Sequence, residues 1–156
     1  MEYSNQIYES WRPKQFEKYE DLWETLEFYM HDKKSLLDIG IGRAWFEDFL
    51  DFKQHGIKRI VGVDVSDEAI GKRKPNIEYH VTDNFVTDEK FDLIICIDAY
   101  HLLKNKNLER YANPGGVVVV SLPVRMDGQL KYLAEKATSS GYIGKSELDF
   151  YVLVKL

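Results

Sequence analysis

Apolar residues along this chain gather into short runs separated by polar turns. Four runs stand out: Leu36 to Ile39, Arg59 to Val63, Phe91 to Ile97 and Val117 to Val120. They are too short for helices and nearly unbroken, as expected of strands covered on both faces of a parallel sheet. A weaker run, Ile77 to Val81, predicts one more strand. Between the runs the spacing becomes helical. Tyr19, Leu22, Trp23, Leu26 and Met30 fall on one face of a helix expected over Lys14 to His31, with Pro13 suited to its first turn. Trp45, Phe46, Phe49, Leu50 and Phe52 give a second helical face that stops near Gly56. Ser66 and Asp67 can cap a short helix that ends before Pro75. Leu102, Leu103, Leu108 and Tyr111 suit a helix after the Phe91 run. Gln129 to Ser140 reads as another helix, and a final strand pair must fit within Tyr142 to Leu156.

Strands alternating with helices predict an α/β fold. The sheet is expected to be doubly wound, mostly parallel and seven-stranded or slightly smaller, with helices on both faces and an antiparallel C-terminal strand. One domain is expected over 1–156, with an aromatic-rich helical segment at 1–34 and a core at 35–156. The net charge of −5 gives no general attraction to nucleic acid. Lys72-Arg73-Lys74 and the segment 104–110 are small basic clusters, more often solvated faces than RNA contacts, with an RNA contact as the lesser alternative. The lone Cys96 lies in an apolar run and reads as core. No signal-peptide pattern and no membrane-length apolar stretch is seen, so a cytoplasmic protein is the default expectation. No cluster has metal-ligand spacing, and no metal is expected.

Ligands of open parallel sheets bind outside the carboxyl ends of the strands. Four clusters fall there. Asp38-Ile39-Gly40-Ile41-Gly42-Arg43-Ala44 is a strand end and a glycine turn that opens a helix. Such a turn can also be purely structural. Trp45 at the fifth position after Gly40 disfavours a dinucleotide, whose pyrophosphate needs a close approach. Asp64 ends the next strand and can accept from both hydroxyls of a ribose, or simply cap a turn. Thr82-Asp83-Asn84-Phe85 offers a carboxylate and a ring for a base. Ile97-Asp98-Ala99-Tyr100-His101 gathers acid, phenol and imidazole where a reacting centre would sit.

Taken in order and spacing, these motifs resemble the class I S-adenosylmethionine-dependent methyltransferases over about residues 35–156. Leu36 to Ala44 resembles the acid-x-Gly-x-Gly-x-Gly motif, with Ala44 at the third glycine. Asp64 and Asp83 match the acids after the second and third strands. Phe91 to Leu103 resembles the fourth-strand motif, and Asn113-Pro114-Gly115-Gly116 resembles the family's Pro-Gly-Gly turn, with Asn113 where many relatives have lysine. The resemblance implies a Rossmann-like sheet and S-adenosylmethionine as cofactor. It implies Gly40 and Gly42 under the methionine part, Asp38 at its amino group, Asp64 and Val65 at the ribose, Asp83 and Asn84 at the adenine, and Ile97 and Asp98 along the methionine. Tyr8 and Trp11 are candidates for an N-terminal segment that closes over the cofactor.

The implied reaction is in-line displacement at an activated methyl group, which asks mainly for alignment and exclusion of water. His101, Asp98 and Tyr100 are the candidate bases if the acceptor must lose a proton. Strand 4 does not end in Asn/Asp-Pro-Pro-Tyr, which argues against the nucleobase and glutamine amino-methylating relatives. The short segments leave no room for a substrate domain. The acceptor is therefore small, or met by the N-terminal segment, or recognised with a partner protein or second copy. The alternative function is a non-catalytic cofactor-binding scaffold. A nicotinamide oxidoreductase is disfavoured by Trp45.

Overall fold

The computed structural model describes residues 5–123, 141–145 and 149–155. Its centre is a sheet of five parallel strands: β1 (Ser35–Ile39), β2 (Arg59–Asp64), β3 (Ile77–Val81), β4 (Phe91–Ile97) and β5 (Ala112–Pro123). They lie in the order β3-β2-β1-β4-β5. Leu37 pairs with Val61 on one side and Ile94 on the other, so β1 is central. The chain winds outward from β1 through β2 to β3, then restarts at β4 on the opposite side. The crevice above β1 and β4 is the topological switch point.

The unbroken apolar runs are explained by what covers each face. Leu36, Ile60, Leu93, Ile95, Val117 and Val119 face helices α1 (Asn5–Leu26) and α2 (Trp45–Leu50) in one cluster. Leu37, Ile39, Val61, Val63, Ile94, Cys96, Val118 and Val120 form a second cluster on the other face. Fully burying each such aliphatic residue contributes about 1.5–3 kcal/mol. Tyr19, Leu22, Trp23, Leu26 and Met30 form the buried stripe of α1 and of the turn that follows it. An aromatic knot joins the two helices, with Phe49 touching Phe16, Tyr19, Trp23 and Phe46. The short α3 (Asp67–Ile70) is capped as expected, Ser66 Oγ accepting from the amide of Ala69 at 3.1 Å.

Three expectations need correction. α1 starts at Asn5, so Pro13 lies inside it rather than in its first turn. One local and one tertiary contact hold the turns ahead of the proline: Tyr8 stacks edge-on with Trp11 at 5.5 Å and lies under the Arg43 guanidinium at 4.3 Å. No α-helix lies between β4 and β5. Two short 3-10 turns, Tyr100–Leu102 and Leu108–Tyr111, stand in its place. Asn105 Oδ1 accepts from the Asn107 amide at 2.9 Å, and Lys106 Nζ donates to the carbonyls of Tyr100 and Leu103. These side-chain bonds satisfy the backbone locally and compete with a helix. Consequently, among the described residues, the second sheet face is covered by these turns rather than by an α-helix. The helix expected over Gln129 to Ser140 lies outside the described residues. No described helix is long and apolar enough to cross a membrane.

Candidate active site

The carboxyl ends of β1, β2, β3 and β4 open onto a cavity of about 410 Å³. Its walls include Ile39, Gly40, Asp64, Val65, Asp83, Asn84, Phe85, Ile97 and Asp98. This volume lies within the range of small-molecule sites, about 300–1,000 Å³.

The floor is the turn after β1. Gly40 has φ +82°, and a Cβ there would stand 2.6 Å from the Cβ of Ala99. Only glycine lets the β1 and β4 ends come this close. The amides of Gly40 and Ile41 donate to the carbonyl of Val63 at 2.7 and 3.0 Å. Asp64 completes the anchoring. Its Oδ2 accepts from the Gly42 amide at 2.9 Å and its Oδ1 from the Ser66 amide at 3.1 Å. A carboxylate has about four lone-pair sites, so both oxygens can still accept from a ligand. Ala44, where the resemblance leads one to expect glycine, has φ +60° and is buried. The left-handed conformation explains the glycine preference and costs alanine about 1–2 kcal/mol.

Across the cavity, Asp83 pairs with Lys104 at 2.6 Å, an exposed bridge between two lining residues that holds the carboxyl below its usual range. The ring of Phe85 packs between His80 and Tyr111, and the Tyr111 hydroxyl donates to the Phe85 carbonyl at 2.6 Å. An apolar ring is thereby fixed in the wall beside an acid.

Asp98 lies at the end of β4 with φ +60°, a strained conformation for a non-glycine residue. Ser121 Oγ accepts its amide at 3.0 Å and donates to Oδ1 at 3.3 Å. Oδ2 accepts from Gln15 Nε2 at 2.9 Å and from Lys18 Nζ at 3.3 Å, both on α1. Three side chains therefore hold this carboxylate, and α1 is tied to the switch point through it. Sequence reasoning missed Gln15, Lys18 and Ser121. Lys18 lies one residue before the buried Tyr19 and Gln15 one turn earlier, so their side of α1 could have been read from the stripe.

The structure does not bring all the expected residues together. Asp64, Val65, Asp83, Asn84, Gly40, Ile97 and Asp98 line the cavity. Gly42 stands behind its wall, bonded to Asp64. Tyr8 and Trp11 do not line it; Tyr8 reaches the glycine turn only through Arg43. Tyr100 is buried in the second core cluster, away from the cavity wall, which is a poor place for a base. The side chain of His101 lies outside the described residues. Asp38 lies beneath the turn rather than in the wall, 4% exposed, beside the equally buried Glu47 of α2. Burial pushes both carboxyls up, Asp38 well above the usual range and Glu47 to about 7, and their mutual repulsion adds to the Asp38 shift.

A family described as a methyltransferase domain matches residues 8–144. The chain belongs to that family. This methyltransferase is an S-adenosylmethionine-dependent enzyme with a Rossmann-like fold. Similar solved structures carry the same fold. The plantazolicin methyltransferase BpumL, in complex with a monoazolic desmethylPZN analogue and SAH, is 15% identical with a TM-score of 0.73, covering 96% of this chain and 89% of that one. A protein described as a ribosomal RNA methyltransferase of Plasmodium falciparum is 21% identical with a TM-score of 0.62, covering 90% and 94%. A ribosomal protein L11 methylase from Lactobacillus delbrueckii subsp. bulgaricus is 20% identical with a TM-score of 0.62, covering 83% and 72%. No curated protein matches the sequence.

Proposed function

We propose that the methyltransferase transfers a methyl group in line to an acceptor that approaches the β4 end, with alignment rather than a strong side-chain base setting the rate. The observation that carries this is the convergence of Gly40, Asp64, Asp83 and Asp98 on one cavity. The residues fit the cofactor. A wall of Val65, Phe85 and Ile97 suits an adenine and ribose, and acids stand where hydroxyl and amino donors would arrive. In this reading Asp64 accepts from the ribose hydroxyls, and Asp83 with Asn84 meets the adenine. Gly40 and Gly42 pass under the methionine, whose ammonium lies near Asp38. When bound, the cofactor supplies an activated methyl group on a sulfonium.

The chain itself positions and excludes water. Asp98 is held by Gln15, Lys18 and Ser121, so its part is to fix α1 over the β4 end. Tyr8 and Trp11 then serve the lid from outside the cavity. An acceptor that reacts without a strong base, such as a neutral amine or a thiolate, suits this arrangement. The same reading extends the sheet to seven strands in one domain. An antiparallel pair, β6 (Gly141–Lys145) and β7 (Asp149–Lys155), follows β5, supported by the pairing of Val118 with Val154 and Ile143 with Val152. A cytoplasmic site of action belongs to the proposal and is consistent with a single, buried cysteine.

Asp64→Ala is expected to weaken S-adenosylmethionine binding at least about tenfold, or 1.4 kcal/mol, measured by calorimetry. Unchanged affinity in a folded variant would refute the ribose role. Release of S-adenosylhomocysteine in the presence of an acceptor would exclude the scaffold reading.

A further inference from the structure

Glu47 plays no part in the reaction described above, yet it is 4% exposed inside a helix of only six residues. Among the described residues no basic, amide or hydroxyl side chain donates to its carboxylate oxygens, and the side chain within hydrogen-bonding reach is another carboxyl, that of Asp38. A buried, unsatisfied carboxylate is costly, so its retention calls for a physical reason. Its neighbour is Asp38 of β1: the two carboxyls are within hydrogen-bonding reach of each other, and the charge of Glu47 pushes Asp38 up. Asp38 directly precedes Ile39 and Gly40, both of which line the cavity. The pair thus lies just under the turn, connected to the site by two residues of backbone.

The other elements packed around the pair do not neutralise it. Tyr19 of α1 is buried against it and is itself pushed up by burial and by Asp38 and Glu47. Asp64 adds negative charge from β2, and Cys96 of β4 is a buried thiol whose ionisation Asp38 opposes. Asp48 adds a further negative charge; it is engaged by Arg12 and Lys74, and Lys74 also acts on Glu47, more weakly than its burial does. Two carboxyls in such surroundings cannot both ionise without a compensating positive charge.

We propose that Glu47 is a positioning residue. It shares a single proton with Asp38, and the α-ammonium of the cofactor, arriving above Gly40, takes the place of that proton, which leaves to solvent. Asp38 is then a carboxylate aimed at the ammonium, with Glu47 fixing its orientation. This rests on the cofactor reading above. It adds that binding of the amino-acid end is coupled to proton release, whereas binding of the adenosine end is not.

Two probes separate these ends. S-adenosylhomocysteine carries the ammonium, and 5′-methylthioadenosine lacks the amino-acid portion. Titration calorimetry in buffers of differing ionisation heat should show S-adenosylhomocysteine releasing up to one proton at the acid end of the range from about pH 6 to 8 and binding more tightly as pH rises, by up to about tenfold per pH unit for a single linked proton. 5′-Methylthioadenosine should show neither effect. In Glu47→Gln the like charge is gone, Asp38 ionises at lower pH, and S-adenosylhomocysteine affinity should become flat across that range. Unchanged 5′-methylthioadenosine affinity in this variant would show that the cavity is intact. The proposal is overturned if the two probes have the same pH profile in the parent protein, or if Glu47→Gln keeps the parent's slope. Failure of both probes to bind at any pH would instead overturn the cofactor assignment on which the proposal rests.

Discussion

The two ends of this site are built on opposite electrostatic terms. At the cavity mouth, Asp83 and Lys104 face water, with side chains 57% and 77% exposed. Their charges are screened, and their pairing costs and yields little. Beneath the glycine turn, Asp38 and Glu47 are buried, with Tyr19 of α1 close to both. There the same kind of side chain determines protonation, packing and the position of the backbone at once. Substitutions at the mouth should therefore read out in ligand affinity alone, whereas those beneath the turn should move stability, pH response and affinity together.

The largest effect tests the packed end. Phe49→Ala removes the ring at the centre of the aromatic knot and should cost about 3–5 kcal/mol in denaturant unfolding. A loss below about 1 kcal/mol would mean that α1 and α2 are not joined as described.

Gly40→Ala probes the point where the two ends meet. The left-handed backbone and the overlap with Ala99 should together cost about 2–5 kcal/mol and remove cofactor binding. Normal binding by the variant would show that the β1 and β4 ends need not approach so closely.

The buried pair should give the protein an inverted pH response. Glu47 is raised from 4.5 to about 7, so the folded state holds its proton more tightly than the unfolded chain does. The stabilisation is full below the unfolded value and is lost as pH rises through about 7. Between about pH 5.5 and 8.5 the urea midpoint should fall by the equivalent of roughly 1–3 kcal/mol. Glu47→Gln should shrink that fall, and an equal fall in the variant would assign it to other groups.

The smallest effect belongs to the open end. Lys104→Ala should change stability by no more than about 0.5 kcal/mol, with a modest change in adenosine-ligand affinity measured by calorimetry. A stability loss above about 1 kcal/mol would contradict the contrast between the two ends.

The same contrast decides what could be read from the chain. Four of the five parallel strands were legible as nearly unbroken apolar runs and β3 only as a weaker one, and Asp64, Asp83 and Asp98 because they follow such runs. Glu47 was not legible. In Trp45-Phe46-Glu47-Asp48-Phe49-Leu50 it looks like half of an acidic solvent face. Its i+3 partner is the buried Leu50, and that relation was the available signal. The helix expected after β4 failed because Asn105 and Lys106 satisfy nearby backbone groups, a competition that apolar spacing does not register. Pro13 misled for a similar reason, since the contacts of Tyr8 with Arg43 and Trp11 lie between residues distant in sequence or outside the buried stripe.

The clasp of α1 on Asp98 has a consequence for biosynthesis. Gln15 and Lys18 leave the ribosome long before the carboxylate they hold, 83 and 80 residues further along. At about 5–20 residues per second, several seconds of translation separate the two. Through that interval the stripe of Tyr19, Leu22, Trp23 and Leu26 can meet α2 and the first three strands, but not β4 or β5. The tie of α1 to the switch point thus forms late, and the nascent chain keeps part of its core open until β4 and β5 emerge.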